Sequence, residues 1–248
     1  MNDLVPLTLV PLTQESAPLR RKIVLALREA IELGELQPGT RLVEKDICRA
    51  LGVSRTALRE ALRELQAEKI ITAVPRGIFV SEISDEEATN IYRVRAALES
   101  LVAEQFADVA TEMDAHHLEK ALGHLEEAYQ ADDFKRILTA KKNFYDVICA
   151  GARNAIVRDI LDHLSTRINQ LRSTSRSNGK RGQQSLAELK RLARALFDRN
   201  PKAARAAALK HIDAAAKTSA ESRHGDVSAE SAKEVPGKPG SARRRRAS

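Results

Sequence analysis

The segment LGVSRTALREALREL (51–65) constrains the fold more than any other, because it joins a turn glycine to a strong helix start. Gly52 suits a turn in which φ is positive, a backbone conformation that other residues resist. Ser54 has the side chain of a helix N-cap, and it precedes a helix that we expect to run from Arg55 to about Gln66. The segment therefore predicts two helices joined by a tight turn.

Both of these helices have an apolar side. In the first helix, EKDICRAL (44–51), Ile47 and Leu51 are predicted to face inward. In the second helix, apolar residues recur on one arc and arginines recur every four residues on the neighbouring arc. The apolar arc comprises Leu58, Ala61, Leu62 and Leu65. The cationic arc comprises Arg55, Arg59 and Arg63.

A helix with these two arcs has two interpretations. In the first, the apolar arc holds the helix in a core and the arginines face a DNA duplex. The amides and the dipole at the helix N-terminus favour phosphates, and a forked guanidinium group matches a guanine edge in the major groove. In the second, the helix is an ordinary amphipathic one whose basic side is only solvated. The chain on either side favours the first interpretation.

The stretch IITAVPRGIFV (70–80) predicts two short β-strands around a tight turn, with Arg76 at its tip. Upstream, a helix is expected over about 19–33, followed by turn residues at Gly34, Pro38 and Gly39. Three helices followed by a β-hairpin form a winged helix-turn-helix. This combination is far more specific than any of its parts.

Residues 18–80 resemble the DNA-binding domain of GntR-type bacterial transcription regulators. The resemblance is carried by the elements G-x-L-x-P-G-x-x-L-x-E, L-G-V-S-R-T and L-R-E-A-L. It implies a homodimer that reads a palindromic operator in double-stranded DNA, one half-site per subunit. The implied DNA-binding residues are Lys45, Ser54, Arg55, Thr56, Arg59, Arg76 and Gly77.

Two residues depart from the pattern of the resembling family. Lys45 stands where many relatives have arginine, which keeps the charge but weakens bidentate recognition. Lys69 stands where a helix-ending glycine is usual, so we expect the recognition helix to end less sharply.

The region 84–218 has helical periodicity throughout and predicts an all-α antiparallel bundle, so that the whole chain is mainly α. Ser84 followed by Glu87 has the form of a capping box, and Asn200 before Pro201 suits the start of the last helix. The six expected helices cover about 84–110, 115–130, 133–150, 154–175, 185–199 and 201–218, with a break at 177–182.

This helical region resembles the effector-binding and dimerisation domain of the FadR subfamily, the FCD domain, in its shorter VanR-like form with six helices. The resemblance is carried by IYRVRAALES (91–100), FYDVICAGARN (144–154) and ALKHI (208–212). Many members of that subfamily hold a divalent metal through one aspartate and three histidines. The match places Lys141, Tyr145 and Leu189 at the first three ligand positions and His211 at the fourth. One imidazole beside an ammonium makes a poor cation site, so we expect no metal and no cofactor.

The substitution at 141 suggests a different ligand. An ammonium group in the place of a metal would bind an anionic effector directly, such as a carboxylate. The effector-binding candidates are Arg95, Lys141, Tyr145 and His211. The alternative is that Lys141 faces solvent and core side chains fill the pocket, so that the helical domain serves only dimerisation or a protein partner.

The formal net charge of +7 does not by itself indicate DNA binding. Residues 217–248 carry eight Lys and Arg against four Asp and Glu, and residues 14–81 carry twelve against nine. We expect 219–248, which is rich in small and basic residues, to be a disordered basic tail. The arrangement of charge within the winged helix therefore decides the interpretation.

Other classes of protein are disfavoured. No stretch approaches the roughly 18–20 apolar residues of a membrane span, and the proline-interrupted N-terminus predicts a flexible arm over 1–13. Cys48 and Cys149 match neither metal spacing nor a disulfide framework, which favours a reducing cytoplasm. No catalytic spacing or phosphate loop is present, so an enzyme is not expected.

Overall fold

The computed structural model describes residues 17–174 and 179–231, and these form nine helices and one three-stranded sheet. The first part is a winged helix: α1 (Ala17–Glu32), β1 (Arg41–Leu42), α2 (Glu44–Leu51), α3 (Arg55–Ala67), β2 (Ile71–Val74) and β3 (Gly77–Val80). The second part is all-helical: α4 (Asp85–Val109), α5 (Glu112–Gln130), α6 (Phe134–Gly151), α7 (Ala155–Thr174), α8 (Gly179–Phe197) and α9 (Pro201–Ser231). The predicted arm at 1–13 lies outside the described residues.

The winged helix has its own apolar core, in which α1 packs against α3. The predicted hairpin is present, with β2 antiparallel to β3 and Val74 paired with Gly77. A third strand, β1, pairs with the other side of β3 and brings Arg41 opposite Phe79. Sequence analysis missed β1, because a strand of two residues has no measurable alternation.

The recognition helix α3 is bounded as predicted at its start. Ser54 accepts a hydrogen bond from the backbone N–H of Ala57 at 3.2 Å, and Gly52 has a φ of 64°. The expectation of a gradual end is wrong: the helix stops at Ala67, and Lys69 adopts a φ of 59° in the left-handed region. The N–H groups after the last turn are satisfied there, which offsets the strain of a side chain at that position.

The helix α2 differs from the prediction in one residue. Ile47 packs partly against the core, but Leu51 is 38% exposed. Leu51 is the last residue of this short helix, and its side chain is not covered by α3.

The helical domain is built on long antiparallel contacts, in which α4 packs on α9, α5 on α6 and α8 on both α5 and α9. Most of its helix starts have the side-chain cap that the sequence predicted or allowed. Ser84 caps α4, Thr111 and Asp114 form a reciprocal capping box for α5, and Asn200 accepts from the N–H of Ala203 at the start of α9. None of the described helices is both long enough and apolar enough to span a membrane.

Two boundaries near the C-terminus differ from expectation. The helix α8 begins at Gly179, so residues 179–182 of the predicted break are helical. The helix α9 continues to Ser231, so residues 219–231 of the predicted disordered tail are also helical. Ser219 is fully buried and Arg223 donates to Asp85 at 2.9 Å, which gives α9 tertiary contacts that its composition does not reveal. The remainder of the predicted tail, 232–248, lies outside the described residues.

The two domains meet where α7 packs beside α1. Glu32 accepts hydrogen bonds from Thr166 at 2.8 Å and from Asn169 at 3.1 Å. Gln170 donates to the backbone carbonyl of Ser81 at 2.7 Å, immediately after the wing. The winged helix is therefore held to one face of α7 by polar contacts at both its first helix and its last strand.

Among the described glycines of the helical domain for which such distances are known, Gly151 is the most closely packed, and a Cβ atom there would lie 2.3 Å from the ring of Phe106. We expect Gly151→Ala to destabilise the protein by about 1–3 kcal/mol, since the overpacking outweighs the better helix propensity of alanine. Gly123→Ala is the matched control, because a Cβ atom there meets nothing within 4 Å and should stabilise by about 0.5–1 kcal/mol. Thermal unfolding of the two variants measures both changes, and a stabilised Gly151→Ala would contradict the packing described.

Candidate DNA interface and effector pocket

The predicted DNA-binding residues of the helix-turn-helix lie on one exposed surface. The apolar arc of α3 is buried in the winged-helix core, which leaves Arg55 and Thr56 exposed in its first turn. Lys45 is exposed near the start of α2. Ser54 is exposed as well, but its hydroxyl accepts the capping hydrogen bond and is thus partly committed to the helix. The backbone of the first turn of α3 and the side chain of Arg55 are therefore exposed together.

Arg59 lies one turn further along α3 and has a carboxylate partner. Its Nε donates to Oε1 and Oε2 of Glu44, at 3.0 and 3.1 Å, and this hydrogen bond raises the pKa of Arg59. Glu44 begins α2, so the contact joins the two helices of the helix-turn-helix.

The wing places a second group of cations beside this surface. Arg76 is exposed at the hairpin tip, with its guanidinium group 5.7 Å from the centre of the Phe79 ring. Gly77 has a φ of 137°, and a Cβ atom there would lie 3.0 Å from Nε of Arg41. Arg41 was not predicted, because its place beside the wing depends on the pairing of β1 with β3.

The helical domain contains a partly open cavity of about 130 Å³ to which all six of its helices contribute. Four cationic side chains line it, one each from α4, α6, α7 and α8: Arg95, Lys141, Arg172 and Arg181. The polar lining also includes Tyr92, Tyr129, Asp132, Ser185, His211 and Thr218. The sequence-predicted residues Arg95, Lys141 and His211 are thus brought together, and the cavity is strongly cationic.

Lys141 is buried, as an inward-facing effector ligand requires, rather than solvent-exposed. Its Nζ donates to Oγ of Ser185 at 3.0 Å, and the same oxygen accepts from the hydroxyl of Tyr129 at 2.9 Å. Burial, reinforced by the arginines around the cavity, holds the pKa of Lys141 well below its ordinary value. An anion beside it would favour the charged form.

His211 is also buried, and a carboxylate orients its ring. Its Nδ1 lies 2.7 Å from Oε2 of Glu188, whose other oxygen accepts from Arg181 at 2.8 Å. Burial lowers the pKa of His211 to about 4, against the opposing effect of that hydrogen bond. A carboxylate can only accept, so Nδ1 carries the proton of the neutral ring and Nε2 is left as an acceptor.

Arg95 and Glu99 form a buried ion pair on α4, with Nε of the arginine 2.9 Å from Oε1 of the glutamate. Although burial opposes ionisation of Glu99, the charge of Arg95 lowers its pKa. Tyr145 is next to this pair, where burial first and Glu99 second raise its pKa well above the ordinary value. Among the described residues, neither the Tyr145 hydroxyl nor Oε2 of Glu99 has a partner in good hydrogen-bonding geometry, although the two side chains are close enough for each to shift the pKa of the other.

Tyr145 does not line the small cavity. It lines a larger cleft of about 770 Å³ between α1 of the winged helix and helices α6 and α7. Lys141 and Arg172 line both spaces, so they form part of the wall between them. The predicted grouping of Tyr145 with His211 around a single cavity is therefore not what the structure has.

The residues at the metal-ligand positions do not form a donor set for a divalent cation. Leu189 is fully buried in the apolar core of the bundle, Lys141 is a cation, and His211 supplies one imidazole. Among the described residues, no group of three or more His, Cys, Asp and Glu side chains is placed to hold a metal ion. The chemistry of the lining suits an anion instead.

Sequence analysis missed most of the polar lining of the cavity, including Arg172, Arg181 and Ser185. Arg181 falls in the stretch that was predicted to be a break between helices, and only its helical placement directs it inward. Arg172 lies near the end of α7, where nothing distinguishes it in sequence from the many surface arginines. Ser185 follows a glycine-rich segment and has no motif around it.

Comparison with known proteins agrees with both halves of this architecture. Residues 19–80 match the family described as bacterial regulatory proteins, gntR family, and residues 90–214 match the FCD domain, which alone covers about half of the chain. The chain belongs to the GntR family. It is a FadR-type member with a DNA-binding helix-turn-helix and an FCD domain, and it is a transcription regulator rather than an enzyme.

Similar proteins of the GntR family cover most of this regulator. YdhC of Bacillus subtilis, an uncharacterized HTH-type transcriptional regulator, is 27% identical over 189 residues, 75% of this chain and 84% of YdhC. The HTH-type transcriptional repressor RspR of Escherichia coli is 30% identical over 162 residues, 64% of this chain and 70% of RspR. The solved structure of E. coli McbR/YncC is similar in fold, with a TM-score of 0.71 at 21% identity over 84% of this chain and 98% of that one.

The buried imidazole gives this GntR-family regulator a predicted pH dependence of stability. In the unfolded chain His211 takes up a proton near its ordinary pKa of about 6.5, but in the folded protein it does so only near 4. Stability should therefore fall as the pH is lowered from about 6.5 towards 4, by about 1 kcal/mol per pH unit. In urea titrations between pH 6.5 and 5, His211→Gln should lose this part of the slope. Equal slopes in the two proteins would mean that His211 is already charged in the folded state.

Proposed function

We propose that this regulator is a homodimer whose affinity for a palindromic operator is changed by a small anionic metabolite, bound in the FCD domain without a metal. The observation that carries the proposal is the cavity of about 130 Å³ with four cationic side chains around it. Such a group of cations is costly to bury unless anions compensate it. Two carboxylates beside the cavity, Glu99 and Glu188, pair with Arg95 and Arg181.

The size and lining of the cavity favour a small carboxylate. Its volume corresponds to about four water molecules, so the effector has few non-hydrogen atoms. Among the described residues, the hydrogen-bond partner of Lys141 is the neutral oxygen of Ser185, and a carboxylate would give it a charged one. The Nε2 acceptor of His211 suits a hydroxyl donor, so a carboxylate that also has a hydroxyl group fits the lining best.

The helix α7 offers a direct route from the effector to the DNA-binding domain. Arg172, at its C-terminal end, lines the cavity. Within the two turns before it, Thr166 and Asn169 bind Glu32 of α1, and Gln170 binds the end of the wing. A movement of α7 on effector binding would therefore change the placement of the winged helix. In a dimer this alters the spacing of the two recognition helices and hence the operator affinity.

For DNA recognition we propose the exposed side chains of the helix-turn-helix and wing, with Arg55 and Arg59 reaching bases and Lys45 reaching phosphate. Arg55→Ala should weaken binding to a selected operator by about ten- to a hundredfold and relax the preference at one base pair. Lys45→Ala should weaken binding to all duplexes and flatten the salt dependence. Fluorescence anisotropy at several salt concentrations separates these two effects. An Arg55→Ala protein with unchanged sequence preference would rule out base contact by Arg55.

For effector binding, the test is Lys141→Ala against Lys142→Ala. The two lysines are adjacent on α6, but Lys142 is exposed and pairs with Asp146 and Asp162. In a thermal-shift and calorimetric screen of small carboxylates and hydroxycarboxylates, we expect a ligand that stabilises the wild type and the Lys142→Ala protein. Lys141→Ala should lose at least about tenfold in affinity for it, as expected for loss of a buried charge-assisted hydrogen bond. If no ligand depends on Lys141, the FCD domain serves dimerisation or a protein partner instead.

A further inference from the structure

We propose that Glu44 is a positioning residue for DNA recognition, which holds the guanidinium group of Arg59 by its Nε so that the two terminal amino groups face the duplex. The inference rests on the proposed contact between Arg59 and DNA. It assigns to an acidic side chain on the DNA-facing surface a role that strengthens, rather than weakens, binding to the operator.

The contact has the geometry of an orienting interaction. The single N–H of Arg59 Nε is shared between the two carboxylate oxygens of Glu44, at 3.0 and 3.1 Å. The side chain of Arg59 is 62% exposed and that of Glu44 is 27% exposed, so the carboxylate is the more enclosed partner. The terminal amino groups of Arg59 make no hydrogen bond to any residue that the structure describes.

The free end of the guanidinium group has the geometry that base recognition requires. The two terminal amino groups form a planar fork that donates two parallel hydrogen bonds to O6 and N7 of guanine. An arginine bound to carboxylate through those same groups would have to break the contact before reading a base. Because Glu44 binds Nε, the fork remains available while its plane and direction are restricted.

The position of Glu44 is itself fixed by the fold. It is the first residue of α2, and no side-chain cap is present at Val43 before it. A carboxylate in the first helical turn is stabilised by the helix dipole. The turn at Gly52 then sets α3 against α2, which brings a residue of the second turn of α3 to this carboxylate.

Removing the Glu44 side chain should have two opposite effects on the affinity for DNA. Loss of a negative charge within one Debye length of the phosphates should raise the affinity for every duplex, by about twofold. Loss of the orienting contact leaves a long side chain to be ordered on binding, which should lower the affinity for the operator alone by about five- to thirtyfold. The second effect should be the larger for the operator and absent for unrelated DNA.

The experiment uses the full chain and a duplex selected from random DNA by the wild-type protein, with an unrelated duplex of equal length as reference. Glu44→Ala is compared with Asp46→Ala, which removes the same charge from the same helical turn. Asp46 is exposed and contacts only Arg49 of its own helix, at 3.8 Å, among the described residues. Binding to both duplexes is measured at one fixed salt concentration, and thermal unfolding checks that both variants are folded.

We expect Glu44→Ala to bind the operator about three- to tenfold more weakly than wild type and to bind the unrelated duplex as well or better. Asp46→Ala should bind both duplexes slightly more tightly. Glu44→Gln should recover part of the operator affinity, since its amide oxygen can accept from Nε. A Glu44→Ala protein that binds the operator as tightly as Asp46→Ala does would overturn the proposal.

A double-mutant cycle separates this inference from the proposed function. In an Arg59→Ala background, Glu44→Ala should no longer weaken operator binding and should strengthen it slightly, because only the repulsion is then removed. If Arg59→Ala alone leaves operator binding unchanged, the proposed DNA contact of Arg59 is wrong. If Arg59→Ala weakens binding but Glu44→Ala weakens it equally in both backgrounds, Arg59 binds DNA and Glu44 acts independently of it, which contradicts the positioning role.

Discussion

The packing of one side of α3 into the winged-helix core is the constraint on which the DNA interface depends. Leu58, Ala61, Leu62 and Leu65 are buried almost completely, so the helix cannot rotate without exposing them. This fixes the opposite side of the helix and the direction of its arginines. The Ser54 cap, the Gly52 turn and the Glu44 contact then refine a geometry that the apolar packing has already set. The direction in which α3 presents its arginines therefore depends first on burial of its apolar side chains.

In the FCD domain, by contrast, several basic side chains are placed in the interior, away from water. Arg95 is paired with Glu99, and Arg181 with Glu188, so these two charges are largely compensated within the protein. Lys141 has a neutral partner, and its depressed pKa indicates how the cavity tolerates a fourth basic group. Burying basic side chains in this way costs stability, which is a common trade-off at ligand sites.

Both halves of the molecule converge on α7. Its C-terminal end contributes Arg172 to the cavity, and its neighbouring turns bind the first helix and the last strand of the winged helix. Lys141 and Arg172 line both the cleft between the domains and the cavity. A movement of either side chain therefore alters both spaces. The cavity proposed for the effector and the winged helix are therefore linked through α7 by direct contacts.

The sequence by itself determined the winged helix, because its turn glycine, cap and two-sided helix are local signals that need only neighbouring residues to act. The resemblance to the FCD domain also predicted a lysine at 141 where many relatives have a metal ligand. Only the tertiary structure decided that Arg172, Arg181 and Ser185 share the cavity, that Tyr145 lies in the adjoining cleft, and that α9 extends to Ser231. These features depend on which faces of distant helices meet, and helical periodicity gives the faces of each helix but not their partners.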